Sequence, residues 1–302
     1  MTILLLGRDG QVGWELQRSL APLGDLVACG RAEADLEDPD ALRELVRRTA
    51  PRFLVNAAAY TAVDRAEAEP KRARRVNTDA VARLAEEAAR LNAWLVHYST
   101  DYVFDGTQPG AYSEDGPTSP QSVYGLTQRD GEDAIRASGC SHLVLRTSWV
   151  YAARGRNFAR TMLRLAQERD ELRVVCDQVG APTSAELIAD VTALCLYRLG
   201  HDLALAEQAS GTYHLAASGE TSWHRFAELL FTAARSRGAE LRVRPDGVWP
   251  ISTPEYPTPA KRPANSRLDS RKLQTTFQVE LPPWQYHVKR VVAELIVPRE
   301  AA

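Results

Sequence analysis

The first thirteen residues constrain this chain more than any other stretch. Thr2–Leu6 is a short apolar run that passes directly into Gly7-Arg8-Asp9-Gly10-Gln11-Val12-Gly13, and an amphipathic stretch follows without a break. A strand that ends in glycines spaced this way, and then opens a helix, lets backbone N–H groups approach a pyrophosphate at the helix N-terminus. Glycines alone also serve a plain tight turn. It is the placement, after the first strand and before a helix, that makes Gly7, Gly10 and Gly13 a candidate dinucleotide loop.

The same rhythm continues through the first half. Apolar, β-branched runs at 26–29, 53–57, 94–98 and 142–147 alternate with helical patterns at 11–20, 39–49, 70–91 and 123–137. Runs without polar alternation suit strands buried on both faces, and helical connections between them imply a parallel sheet. The expected fold class is therefore α/β: a Rossmann-type doubly wound parallel sheet. After residue 150 the rhythm loosens, with helical patterns at 157–168, 184–199 and 223–236 and short strands near 172–176 and 212–215. The Pro-rich stretch 250–263 reads as an ordered loop. Residues 1–150 are thus expected to form the NAD(P)-binding domain. Residues 151–302 are expected to form mainly a smaller, interleaved substrate lobe with segments returning to the first domain.

Charge excludes some partners. Among 302 residues the formal net charge is −2, which gives no reason to expect a nucleic-acid or anionic-membrane surface. The four cysteines, Cys29, Cys140, Cys176 and Cys195, lie far apart with no CxxC pair and no histidine at metal-ligand spacing. A reducing compartment follows. No basic leader precedes the first strand and no apolar run is long enough to span a bilayer, so a cytoplasmic location is expected.

At the end of the second strand, where an NAD-selective site usually holds an acidic residue, this chain has Gly30-Arg31. Arg31 is either the partner of a 2′-phosphate, which favours NADPH, or a surface arginine. Asp35-Leu36 follows as a candidate adenine-edge contact. The third strand ends in Asn56-Ala57-Ala58-Ala59-Tyr60-Thr61, where small side chains let a flat cofactor lie close to the backbone. The fourth runs into Ser99-Thr100-Asp101-Tyr102-Val103-Phe104-Asp105-Gly106, and Tyr124-Gly125 opens the next helix. A Thr at a strand end and a Tyr on the following helix can polarise a carbonyl oxygen and give it a proton, the equipment for ketone reduction beside a nicotinamide. Taken singly, Tyr124 fits a core position and Thr100 a strand-end cap. Together, downstream of the glycine loop, they point to chemistry.

Six segments, GRDGQVGWEL, NAAAYTAVDRAE, YSTDYVFDG, RTSWVY, DQVGAPT and RPANSRLDSRKL, occur in this order between residues 7 and 273. In these the chain resembles the extended short-chain dehydrogenase/reductases and, among them, the dTDP-4-dehydrorhamnose reductases. The resemblance implies NAD(P)H-dependent reduction of dTDP-4-dehydro-L-rhamnose to dTDP-L-rhamnose, a donor for surface polysaccharide such as lipopolysaccharide. It implies Thr100 and Tyr124 as the catalytic pair, and Gly10, Gln11, Val12, Asp35, Leu36, Ala59, Tyr60, Thr61 and Tyr98 around the cofactor. Asp101 and Trp149 are implied to contact the sugar. A homodimer with Mg²⁺ between carboxylates is implied as well, with Glu15, Glu186 and Glu294 at the matching places. Two other functions stay open. One is a reductase or epimerase of another nucleotide sugar. The other is a silent NADP-binding regulatory subunit, similar to the β subunit of methionine adenosyltransferase.

One position departs from the family pattern. Where the family has Tyr-x-x-x-Lys, this chain has Tyr124-Gly125-Leu126-Thr127-Gln128. The i,i+4 spacing puts Gln128 on the helix face of Tyr124, so it takes the lysine's place near phenol and ribose. An ammonium about 4 Å from a phenolate is worth roughly 4 kcal/mol at an effective dielectric near 20, and that attraction is lost. Oxidation, which needs a phenolate base, suffers more than reduction, which needs a phenol donor.

Overall fold

The computed structural model describes residues 1–296, so residues 297–302 of the expected second lobe lie outside the described residues. Six strands, β1 Thr2–Leu6, β2 Asp25–Cys29, β3 Phe53–Asn56, β4 Trp94–Thr100, β5 His142–Thr147 and β6 Gly211–His214, form one sheet in the order β6-β5-β4-β3-β1-β2. Every pairing in it is parallel. The chain steps outward from β1 to β2, then returns to the other side of β1 with β3. The switch point between β1 and β3 is where open α/β sheets leave a crevice for ligands.

The longer helices are α1 Gln11–Leu20, α2 Pro39–Thr49, α3 Ala80–Leu91, α4 Val123–Ser138, α5 Phe158–Glu168, α6 Ala185–His201, α7 Trp223–Arg235 and α8 Trp284–Leu295. Strand periodicity sorts them into two layers. Ile3 and Leu5 of β1 share a core with α1, α6, α7 and α8, whereas Leu4 and Leu6 share one with α2, α3 and α4. Both faces are apolar because both are covered, which is why these strands read as unbroken apolar runs.

Two segments differ from the sequence-based expectation. The helix expected across 70–91 is three pieces: Pro70–Arg74, a π-helical turn Arg75–Asp79, and α3. Inside the wide turn the Asn77 side chain accepts from Tyr60 N at 2.8 Å and donates to Thr127 Oγ1 at 3.2 Å. Periodicity is blind to this, because the extra residue is fixed by a tertiary partner. Part of the Pro-rich stretch is a strand after all, since Val248–Ile251 pairs in parallel with Leu172–Val175. Pro250 is tolerated there because the two-stranded ribbon has free edges on both sides.

The inner face of α4 carries the least expected packing. Glu132 and Arg146 of β5 are 0% and 2% exposed and paired at 2.6 Å, and Ser99 of β4 donates to Glu132 Oε1 at 2.5 Å. Burial pushes the Glu132 carboxyl up, but the bonds and charge of Arg146 more than offset this and hold it below the usual range. The pair ties α4 to β4 and β5 one helical turn beyond Gln128.

Candidate active site

The loop after β1 is shaped by close approach. Gly7 adopts φ +83°, and a Cβ on Gly13 would stand 2.0 Å from the Gly7 carbonyl oxygen. No other residue fits either place without moving the loop. Gly10 caps α1 without a side chain, and the first turn holds no acidic residue. The leading N–H groups of α1 are therefore uncommitted to side chains and face the crevice at the switch point, a fit for a dinucleotide pyrophosphate. The Gln11 side chain accepts from Asn157 Nδ2 at 2.7 Å and so anchors the loop to the cap of α5. Val12 packs against the core.

At the far end of β2, Arg31 is exposed but engaged, pairing with Glu37 at 2.8 Å and Asp35 at 3.4 Å. Leu36 is buried in the core, which leaves only its backbone for a ligand. Two residues here were not singled out from sequence. Arg8 donates to the Ala28 carbonyl at 2.9 Å and pairs with Glu33 at 2.7 Å, and Glu33 in turn accepts from Gly30 N at 3.0 Å. The strand end thus does meet a carboxylate, three residues later than the expected position, and a second guanidinium stands over it.

After β3, Ala59 is half-buried and Thr61 exposed, and the Tyr60 hydroxyl donates to Glu69 at 2.9 Å. The Tyr98 hydroxyl points to the opposite layer, where it meets Thr192 of α6 at 2.9 Å. That bond fixes the ring at the boundary of crevice and core.

Thr100 and Tyr124 come together between the end of β4 and the first turn of α4. Ser122 fixes where α4 begins, its hydroxyl accepting from Gly125 N at 3.2 Å. Gly125 lets that turn lie against the loop after β4, since a Cβ there would sit 2.1 Å from the Tyr102 carbonyl oxygen. Burial pushes the Tyr124 phenol well above its ordinary pKa, and Asp101 and Tyr102 add to the effect, while Thr100 and Gln128 partly counter it. Its pocket thus makes Tyr124 a weaker acid than an ordinary phenol. Thr100 Oγ1 donates to Asp101 Oδ1 and accepts from Tyr102 N, both at 3.2 Å. Asp101 is 2% exposed, and burial pushes its carboxyl up to about 6 against hydrogen bonds from Ser266 and Thr100.

Trp149 stands at the substrate side in the left-handed region, φ +49°, which is rare for a bulky residue and costs on the order of 1–3 kcal/mol. Its ring stacks on Trp223 with centroids 3.7 Å apart and planes at 13°, and Trp223 Nε1 donates to Gln178 at 3.0 Å. The segment around Asn265 and Ser266 closes this side, hydrogen-bonding to Gly106 and Val179. Gln178 and Ser266 fall in the DQVGAPT and RPANSRLDSRKL segments, whereas Trp223 carries no local signal and joins Trp149 only through a contact made across the chain.

Glu15, Glu186 and Glu294 line one surface cleft of about 360 Å³ together with Arg18 and Arg290. Arg290 holds Glu186 at 2.6 Å and Arg18 lies 3.7 Å from Glu15. Among the described residues no three carboxylate, histidine or cysteine side chains converge closely enough to hold a metal ion. The expected metal set is thus gathered in one cleft but not as a metal centre within one copy of the chain.

With this geometry in view, the relatives are informative. A family model described as the RmlD substrate binding domain matches residues 1–297. The dTDP-4-dehydrorhamnose reductase of Escherichia coli K12 is 48% identical over 306 residues, covering 98% of each chain. The reductase of that name from Burkholderia thailandensis is 48% identical over 296 residues, covering 98% of this chain and 99% of its own. The solved dTDP-4-dehydrorhamnose reductase of Clostridium acetobutylicum matches with a TM-score of 0.88 at 32% identity, over 98% of this chain and 100% of its own. That of Bacillus anthracis, in complex with NADP, matches with a TM-score of 0.86 at 31% identity, over 97% and 99%. These matches run through every segment of the site. The chain belongs to the dTDP-4-dehydrorhamnose reductase family, NAD(P)H-dependent oxidoreductases that act on a nucleotide sugar.

Proposed function

We propose that the chain reduces the 4-keto group of dTDP-4-dehydro-L-rhamnose to give dTDP-L-rhamnose, with Tyr124 as the proton donor. The observation that carries this reading is the Tyr124 phenol, half-buried beside Thr100 at the start of α4, where desolvation favours its neutral form. When bound, the nicotinamide supplies the hydride. The glycine loop and the N-terminus of α1 would hold the pyrophosphate, and the Thr100 hydroxyl, on turning its one hydrogen away from Asp101, becomes a second donor to the carbonyl oxygen. As negative charge develops on that oxygen, the phenol gives up its proton to it. A phenol made less acidic by its pocket is still far more acidic than the alcohol being formed. The Trp149–Trp223 stack offers the sugar an apolar wall, and Asp101 a polar contact. The product would serve surface polysaccharide, including lipopolysaccharide, and a cytoplasmic location suits that supply.

Gln128 sets the direction in which the reaction runs well. Tyr124→Phe is expected to lower turnover by two to four powers of ten, the usual worth of a positioned acid. Gln128→Lys is expected to raise turnover by one or two powers of ten, about 1.4–2.8 kcal/mol, and to do so more strongly in oxidation, which needs the phenolate. NAD(P)H oxidation with dTDP-4-dehydrorhamnose, and the reverse reaction with the product, measure both. Reduction abolished by Gln128→Lys contradicts this reading. Absence of turnover in every form, with NADPH still bound, favours a silent binding protein instead.

For the cofactor, two guanidiniums at the end of β2 support NADPH binding at least as tight as NADH. Arg31→Glu is expected to shift the ratio of dissociation constants toward NADH, and titration that finds the ratio unchanged removes Arg31 as the reader of the 2′-phosphate.

For assembly, the carboxylate-lined cleft supports a homodimer joined across this face. A Mg²⁺ there would draw on carboxylates of two copies, because Glu15 and Glu186 of one copy are already matched by Arg18 and Arg290. Sedimentation in excess EDTA is the test. A dimer weakened by EDTA supports the bridge, a dimer left intact removes the metal, and a monomer throughout removes the interface.

A further inference from the structure

A short chain of polar groups runs behind Tyr124, and its hydrogen-bond directions can be followed from one end. Asn56 and His97 are register partners on β3 and β4, each 1% exposed. Asn56 Oδ1 accepts from Ala58 N at 3.2 Å, so the carbonyl end of this amide is taken. Its Nδ2 lies 3.2 Å from His97 Nδ1. An amide nitrogen has only hydrogens to offer, so Nδ1 must be the unprotonated, accepting nitrogen. Burial opposes a charge on this ring and pushes its pKa down to about 4, with Glu132 and Gln128 only partly restoring it. The neutral imidazole therefore carries its one proton on Nε2.

The neighbouring amide that favours a proton on this ring is Gln128. His97 Nε2 and Gln128 Oε1 are both buried, and neither has a partner at full hydrogen-bond geometry. One is an unmatched donor and the other an unmatched acceptor, and leaving both unmade costs about 1–3 kcal/mol per group. Pairing them orients the amide. With Oε1 held inward by the ring, the Gln128 NH₂ is left facing outward, on the side of the Tyr124 phenol.

We infer that His97, backed by Asn56, is a positioning residue that holds the Gln128 amide with its NH₂ toward the Tyr124 oxygen. The inference rests on Tyr124 acting as the proton donor. It accounts for how a neutral residue serves where the family pattern has a cation. A correctly turned amide donates a hydrogen bond to the oxygen that becomes negative, and a reversed one would turn a carbonyl lone pair against it. A lysine ammonium presents hydrogens in every direction and has no such need for a guide. His97 should therefore matter in proportion to residue 128 being an amide.

The test is a double-mutant cycle in single-turnover reduction. His97→Leu is expected to lower the rate about 10-fold in the natural sequence, with the KM for the sugar nucleotide little changed. In the Gln128→Lys background the same substitution is expected to cost less than 2-fold. His97→Gln, which offers an N–H near the position of Nε2, is expected to recover most of the loss. Equal losses in both backgrounds, or none in either, overturn the inference. A second measurement does not depend on turnover. Side-chain ¹⁵N NMR of the unmutated protein is expected to find His97 as the Nε2–H tautomer from pH 6 to 9, and an Nδ1–H tautomer overturns the inference even if the enzyme is fully active. Absence of turnover with the Nε2–H tautomer present would instead contradict the role of Tyr124.

Discussion

Helix α4 turns a polar face to the sheet, and the site depends on how those polar groups are matched. Gln128 and Glu132 follow Tyr124 at intervals of four, so all three lie along one side of the helix, and the last two are almost wholly buried against β4. Such a face can be buried only if each group finds a partner. Glu132 meets Ser99 and Arg146, and Gln128 stands beside His97. If the Glu132–Arg146 pair lost one member, an uncompensated charge would be left inside, a defect on the order of 3–5 kcal/mol. The same contacts fix the rotation of α4 about its axis. That rotation is what presents Tyr124 to the crevice beside Thr100.

This packing has a consequence for the chemistry. The environment that positions the phenol also desolvates it, which disfavours the phenolate and keeps Tyr124 a donor across the physiological range. In a site with a lysine at position 128, the ammonium would work against that effect. Here a neutral amide replaces it, and the phenol is poised for giving a proton rather than taking one. The site reads as a one-way device, consistent with a reductase that runs toward the alcohol.

The fold was legible in the sequence, as was the approach of Thr100 and Tyr124 that the proposed reaction uses, because their signals are local. Unbroken apolar runs marked the strands, the placement of Gly7, Gly10 and Gly13 marked the cofactor loop, and Ser122 sits just before the helix that carries Tyr124. What escaped is non-local. The π turn at Asn77 is held by Tyr60 and Thr127, which bind opposite ends of one amide. The Trp149–Trp223 stack joins residues 74 positions apart, and nothing near Trp223 announces it. The Glu33 carboxylate reaches the end of β2 by folding back onto Gly30, so a search at the strand end alone passes it by. Even the Gln128 departure was visible as a missing lysine but not as part of a chain through His97 and Asn56, because that chain crosses two strands and a helix.

The central claim is that Tyr124 donates as a half-buried phenol with no cation beside it. The rate of single-turnover reduction as a function of pH tests it most directly, with NADPH and dTDP-4-dehydrorhamnose both saturating. Asp101, pushed up to about 6, titrates at the acid edge, so the informative window lies above pH 7. The account predicts a rate that stays level from pH 7 to about 9.5, because the phenol remains protonated throughout. A rate that falls with an apparent pKa near 7 or 8 would mean that Tyr124 is acidified as though a cation stood beside it, and would contradict the account.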